Sequence, residues 1–342
     1  MVLPMILHPG FTSRQPVTVR DATSAAPGAA VPAWLRAAVP DAKTLGSHGI
    51  EDVALAAGAA LGALDAVVRR QERWAGAWRQ RLAVTAAAVT ARQAGRMEDE
   101  NALRDAVLLT RPGDDVGPAG RLLLAWHRLA TRPAEELLTR RHLAAVLDAF
   151  GYAPEDAVVG ALADDVRQRA AGTGTVGMLA GASMVAGRHG FGHAVGAWLA
   201  DALLAQRLGW SHAVPLQGGE AGVGTGARSR RSAGSTGVTN VETDAERAKS
   251  LLAAQALAAI RAIDLSTDLG RRAERLLGVA PRLRAKAADA VVERLLSDDA
   301  IVASDRIAGI SDRGLRRLFD RLVELGALRE LSGRATFRIY GL

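Results

Sequence analysis

Residues 311–326 read SDRGLRRLFDRLVELG, and this stretch decides how the carboxyl end of the chain is built. Leu315, Leu318, Phe319, Leu322 and Leu325 recur at helical spacing, which makes them one buried stripe of an amphipathic helix. Ser311 stands where a side-chain oxygen caps a first turn, and Gly326 where a left-handed residue ends a last one. Upstream, 283–296 predicts a helix with Ala287, Ala290, Val291 and Leu295 along one side, and Ser304 can cap a short helix from Asp305 to Gly309. Downstream, 327–331 alternates as a strand does, Ser332-Gly333-Arg334 signals a turn, and 335–340 is a second alternating strand. Three helices followed by a hairpin is the winged helix-turn-helix plan, assigned here to residues 281–342.

In that plan the third helix enters the major groove and the wing meets backbone or minor groove. The solvent side of the third helix carries Arg313, Arg316, Arg317 and Arg321, and the wing adds Arg329, Arg334 and Arg338. A planar guanidinium can pair with phosphate or grip a guanine edge. The expected nucleic-acid contacts are therefore Arg313, Arg316, Arg317, Arg321, Arg334 and Arg338. Asp312, Asp320 and Glu324 share the helix and could neutralise those cations.

Outward from this end, composition predicts a mainly α protein, a multi-helix bundle carrying the winged-helix unit. Of 342 residues 49% are apolar but only 4% aromatic, so Ala, Leu and Val dominate. Ala and Leu favour helix because they lose little rotamer freedom there. The absence of cysteine excludes disulfides, thiolate metal sites and a thiol nucleophile, and it fits the cytoplasm. A net charge of +7 permits nucleic-acid contact without requiring it. Met1 to Gly10 is broken by Pro4 and Pro9 and lacks a basic flank, unlike a secretory signal. The run Val53 to Leu64 is too short to cross a bilayer. No membrane partner is expected.

Residues 1–32 read as a mobile arm and 33–216 as a helical body. Helices are predicted around 51–70, 76–94, 98–109, 118–130, 134–150, 155–171, 176–187 and 193–208. Breakers such as Arg111-Pro112-Gly113 and Thr131-Arg132-Pro133 divide them. The Gly- and Ser-rich stretch 217–240 reads as a linker. A connector over 241–280 follows, with a capping box at Thr243 and Glu246, one helix to about Asp264 and another from Thr267 to Gly278.

Several strings look chemical. Gly172-Thr-Gly174-Thr-Val-Gly177 matches a dinucleotide fingerprint, but a polar helical stretch precedes it where a buried strand is needed. His189 and His193 lie four apart with no third ligand in view. The densest polar region, 95–115, offers Arg96, Glu98, Asp99, Arg104, Asp105, Asp114 and Asp115 as a polar network or an acidic site. Acids at Glu98, Asp99 and Glu100 also suit a helix's positive end, and Arg104 can pair with Glu100 one turn earlier. Trp74 and Trp78 are at helix spacing and serve packing. No cofactor is indicated.

Several strings together resemble a bacterial family. They are WAGAWRQRL from Trp74 to Leu82, GRMEDENALRD from Gly95 to Asp105, RPGDD from Arg111 to Asp115, GPAG from Gly117 to Gly120, and Leu208-Gly209-Trp210. At the end stand LFDRL from Leu318 to Leu322, ELSGR from Glu330 to Arg334, and FRIYG from Phe337 to Gly341. The combination, covering most of the chain from about residue 45, resembles an alphaproteobacterial family described only as a domain of unknown function. That resemblance implies no activity. The tail is also similar to winged-helix segments that follow some helical bacterial regulatory and adenylylating proteins, but the HPFxxGNGR loop of those enzymes is absent.

The leading functional expectation is a DNA-associated or regulatory protein whose helical body binds a partner or itself as a homo-oligomer. The alternatives are a protein-contact module without DNA binding, and an enzyme using the acidic 98–115 region.

Overall fold

Alanine at contact positions lets helix axes approach closely, and the body uses this throughout. The computed structural model describes residues 31–172, 174–220, 239–283, 287–332 and 336–342, with the backbone alone at 239–244. Its body helices are α1 (Ala33–Ala38), α2 (Ala42–Gly46), α3 (Ile50–Arg69), α4 (Ala75–Gln93), α5 (Glu100–Leu108), α6 (Gly117–Thr131), α7 (Arg140–Ala149), α8 (Asp156–Gly172), α9 (Thr175–Arg188) and α10 (His193–Leu208). The axis of the fold is α11 (Thr239–Val279), along which α2 and α3 pack, with α4 and α9 also in contact. Residues Leu251–Ile260 of α11 are buried without interruption. A helix apolar on every side has to be enclosed.

Here the expectation of two connector helices is corrected. The polar run Asp264 to Asp268 looked like a break, yet the helix passes straight through it. Thr267 returns its hydroxyl to the Ile263 carbonyl at 3.0 Å, Asp264 pairs with Arg36 of α1, and Asp268 pairs with Arg271 and Arg272 of the next turn. Each polar group thus finds a partner compatible with helix. The helix also starts at Thr239, four residues before Thr243, so that residue is inside it and not at its cap.

Two further boundaries move for tertiary reasons. Helix α7 begins at Arg140 rather than 134, because the Ala134 amide is taken by the Ser211 carbonyl at 2.9 Å and the chain turns until Thr139. The expected linker at 217–240 is core at its start. Gln217 and Gly218 are buried in a 3-10 turn, and a Cβ on Gly218 would lie 2.2 Å from the Trp126 ring, so only glycine fits. Residues 221–238 of that linker, and residues 1–30 of the expected arm, lie outside the described residues. Val31, placed in that arm, is buried against the bundle.

The carboxyl end combines α12 (Ala288–Ser297), β1 (Ile301–Val302), α13 (Asp312–Glu324), β2 (Arg329–Glu330) and β3 (Ile339–Gly341). The three strands form an antiparallel sheet ordered β1-β3-β2, with Ile301 opposite Tyr340 and Glu330 also opposite Tyr340. The short helix expected over Asp305–Gly309 does not form. Ala303 still bonds the Arg338 carbonyl at 2.9 Å, extending the ladder, and Asp305 is drawn to Arg294 at 3.0 Å; the few residues left make turns. Strand β1 was not anticipated. Ser311 caps α13 through the Gly314 amide at 3.2 Å, and Gly326 takes φ +64°, both as the sequence indicates. Leu315, Leu318, Phe319 and Leu322 are buried, with Phe319 stacked on Tyr340 at 4.6 Å. Leu325 is partly exposed because the helix stops one residue before it.

This end shares one apolar core with the body. Gly76 of α4 sits so close to Ser297 that a Cβ there would lie 2.5 Å from the Ser297 carbonyl oxygen.

Candidate functional site

Two constellations contain the residues singled out from the sequence. The first is the polar region 95–115, and the structure disperses it. Glu98 pairs with its near neighbour Arg96 and is held below the usual carboxylate range mainly by that hydrogen bond. Asp99 caps α5, accepting from the Ala102 amide at 2.8 Å. Glu100 takes the Thr85 hydroxyl at 2.8 Å and approaches Arg104 at 3.5 Å, the pair expected one turn apart. Asp105 is half-buried. Asp114 and Asp115 are exposed, and Asp115 accepts from the Gly117 amide at 3.0 Å. Among the described residues no group of three or more His or acidic side chains could hold a metal.

Arg104 turns inward and is buried, and its partner is not signalled by the residues around it. Asp299, between α12 and β1, receives Arg104 Nε at 2.6 Å and is also gripped by Arg81 of α4. Burial alone would raise the Asp299 carboxyl, but the two guanidinium groups outweigh it and hold the carboxyl at about 2. Arg104 is raised, its burial offset by Asp299 and Glu100. His127 of α6 lies against the same cluster with Nε2 buried and unpartnered, and burial pushes its imidazole down. A sequence signal existed: Asp298-Asp299 interrupts an apolar run between Leu296 and Ala300. The cluster is a structural clamp joining α4, α5 and the carboxyl end.

A second buried acid was also missed. Asp201 of α10 accepts from the backbone amides of Leu216 at 2.8 Å and Gln217 at 3.1 Å, fixing the turn that carries Gly218 under Trp126. Burial pushes its carboxyl up to about 8 against those amides.

The second constellation is the face of α13. Arg313, Arg316, Arg317 and Arg321 are all exposed. Arg321 pairs with Glu324 at 3.1 Å. No acid among the described residues lies within ion-pair distance of Arg313, Arg316 or Arg317, which occupy the first half of the helix. Ser311, just ahead of that half, caps it through the Gly314 amide, and the helix's positive end adds to the same field. Arg338 on the hairpin stands between Glu330 at 3.7 Å and Asp320 at 3.9 Å, so two acids compete with any phosphate for it. Arg334 lies outside the described residues. Arg329 is exposed on β2, and its charge reaches Arg272 of α11.

The remaining strings resolve as packing. Trp78 is buried and donates to the Ala262 carbonyl at 2.8 Å; Trp74 lies over Gly270. His189 meets Asp165 at 3.0 Å. Gly172 ends α8 and Gly174 caps α9, with no strand before them.

These features define a mainly helical protein with a small mixed helix–strand end clamped to the body by buried ion pairs, and with no helix among the described residues long and apolar enough to cross a membrane. A family model described as "Protein of unknown function (DUF1403)" matches residues 20–342, and the chain belongs to that family. Comparison with curated proteins gave no match, and neither did comparison with solved structures.

Proposed function

We propose that this protein binds duplex DNA through its carboxyl end, which we read as a winged helix lacking its short second helix. The strand order β1-β3-β2, with one helix ahead of β1 and another ahead of β2, supports that reading. The observation that carries the function is the set of Arg313, Arg316 and Arg317: three exposed guanidinium groups on the first half of one helix, with no acid among the described residues in ion-pair reach. In the docking mode of helix-turn-helix proteins, that half of the recognition helix meets base edges and phosphates. A cysteine-free chain agrees with a cytoplasmic setting.

The test is a gel-shift series with random-sequence duplex at rising salt. Phosphate contacts predict a steep linear fall of log affinity with log salt. Replacing Arg313, Arg316 and Arg317 together by Glu should abolish the shift while leaving the thermal midpoint unchanged, because none of the three is packed. Absence of binding by the unaltered protein at low salt would defeat the proposal and favour the alternative, a winged helix that contacts protein.

A further inference from the structure

The hairpin between β2 and β3 carries a residue that costs the free protein twice. Phe337 is 64% exposed, and its backbone has φ +54°. The left-handed region is a genuine outlier for a bulky side chain, whereas glycine enters it freely. A phenyl ring left mostly exposed gains little from burial. Packing therefore explains neither the ring nor the conformation. Sites that hold such strain are commonly ones where a ligand is met.

The surroundings indicate which ligand. The next residue, Arg338, reaches Asp320 of α13 at 3.9 Å. Asp320 lies one turn beyond Arg316, so the base of the hairpin runs beside the arginine-bearing face. An exposed apolar ring thus stands one residue from the position that ties the hairpin to this face. Proteins that grip the minor groove use this pairing: cations neutralise phosphate while an apolar side chain enters between base steps and kinks the duplex. A helix in the major groove places its wing at the adjacent minor groove, where such a wedge would enter.

Resting on the DNA reading above, we propose that Phe337 is a wedge that inserts at a base step of the bound duplex, partly unstacking it and bending the DNA. Positively charged residues of α13 supply the binding; the ring supplies the bend.

The experiment is ligase-mediated cyclisation of a duplex of about 100 bp, shorter than the ~150 bp persistence length, run beside gel shifts at the same salt. The unaltered full-length protein should raise the yield of circles roughly tenfold, as bending lowers the elastic cost of closure. Phe337→Ala should still shift the duplex, within roughly tenfold of the original affinity, but give no excess of circles, and Phe337→Trp should restore them. Undiminished cyclisation by Phe337→Ala would overturn the wedge and leave the α13 contacts standing, as would binding without bending by the unaltered protein. Tighter binding to single strands than to duplex, lost in Phe337→Ala, would overturn it in favour of a base-stacking platform. No shift by the unaltered protein would remove the DNA reading itself, and the wedge with it.

Discussion

Arg104 and Asp299 lie 195 positions apart in the chain, yet their side chains meet at 2.6 Å, each only 5% exposed. With Arg81 on the other side, they fasten the carboxyl end to α4 and α5. A buried ion pair of this kind contributes little net stability by being present, since desolvation offsets attraction, but it is costly to break.

Asp299→Ala should therefore lower unfolding stability by about 3–5 kcal/mol, because two guanidinium groups would be left buried with no counter-charge. Urea unfolding measures this directly. A loss below about 1 kcal/mol would mean that water or backbone carbonyls replace the carboxylate and that the clamp is dispensable.

The two buried acids give opposite pH dependences. Asp299 is held at about 2 by Arg81 and Arg104, below its unfolded value of about 3.9, so the native state binds fewer protons between those values. Its contribution is present above about pH 4 and is lost as pH falls toward 2, amounting to about 2–3 kcal/mol. Asp201 is raised to about 8, so its contribution is complete below about pH 4 and declines as pH rises through 8. Unfolding midpoints of Asp201→Asn across pH 6–9 should be flatter than those of the original protein. An unchanged alkaline slope would show that the amides of Leu216 and Gln217 already stabilise the charged form.

The arginines of α13 should not be equal in DNA binding. Arg313, Arg316 and Arg317 are open, whereas Arg321 is paired with Glu324. Single replacement of an open arginine by Ala should reduce the salt slope by about 0.9, the value for one phosphate contact. Arg321→Ala should reduce it by less, and Glu324→Gln should raise affinity by freeing Arg321. Equal losses at all four positions would show that the ion pair opens on binding.

Phe337→Gly should stabilise the free protein, by about 1 kcal/mol, because glycine accepts φ +54° without a steric penalty. Thermal unfolding in the absence of DNA reads this effect. A drop in midpoint would show that the ring packs on the fold in solution.

Local patterns were legible wherever a segment's own residues fixed its state. The apolar stripe Leu315 to Leu322, the Ser311 cap, the Gly326 stop and the acids at the start of α5 follow from spacing and from backbone groups within one turn. The body helices between 51 and 208 follow from Ala and Leu content and from proline and glycine breaks, apart from α7, whose start a distant carbonyl resets. The continuity of α11 was not legible, since the partners of Asp264 and of the buried Ser266 turn lie on other elements or depend on burial.

For the candidate sites the division is similar. Sequence by itself determined that arginines would line the outer face of α13, because Arg313, Arg316 and Arg317, at spacings of three and four, share the helix side opposite the buried stripe. Only tertiary structure decided that Arg313, Arg316 and Arg317 meet no acid among the described residues while Arg338 is held between Asp320 and Glu330. It alone placed Asp299 between Arg81 and Arg104 and turned the first residues of a glycine-rich stretch into core beneath Trp126. The reason is physical: helical periodicity is a property of neighbouring residues, whereas charge pairing and close packing depend on distances between segments that the chain brings together only when it folds.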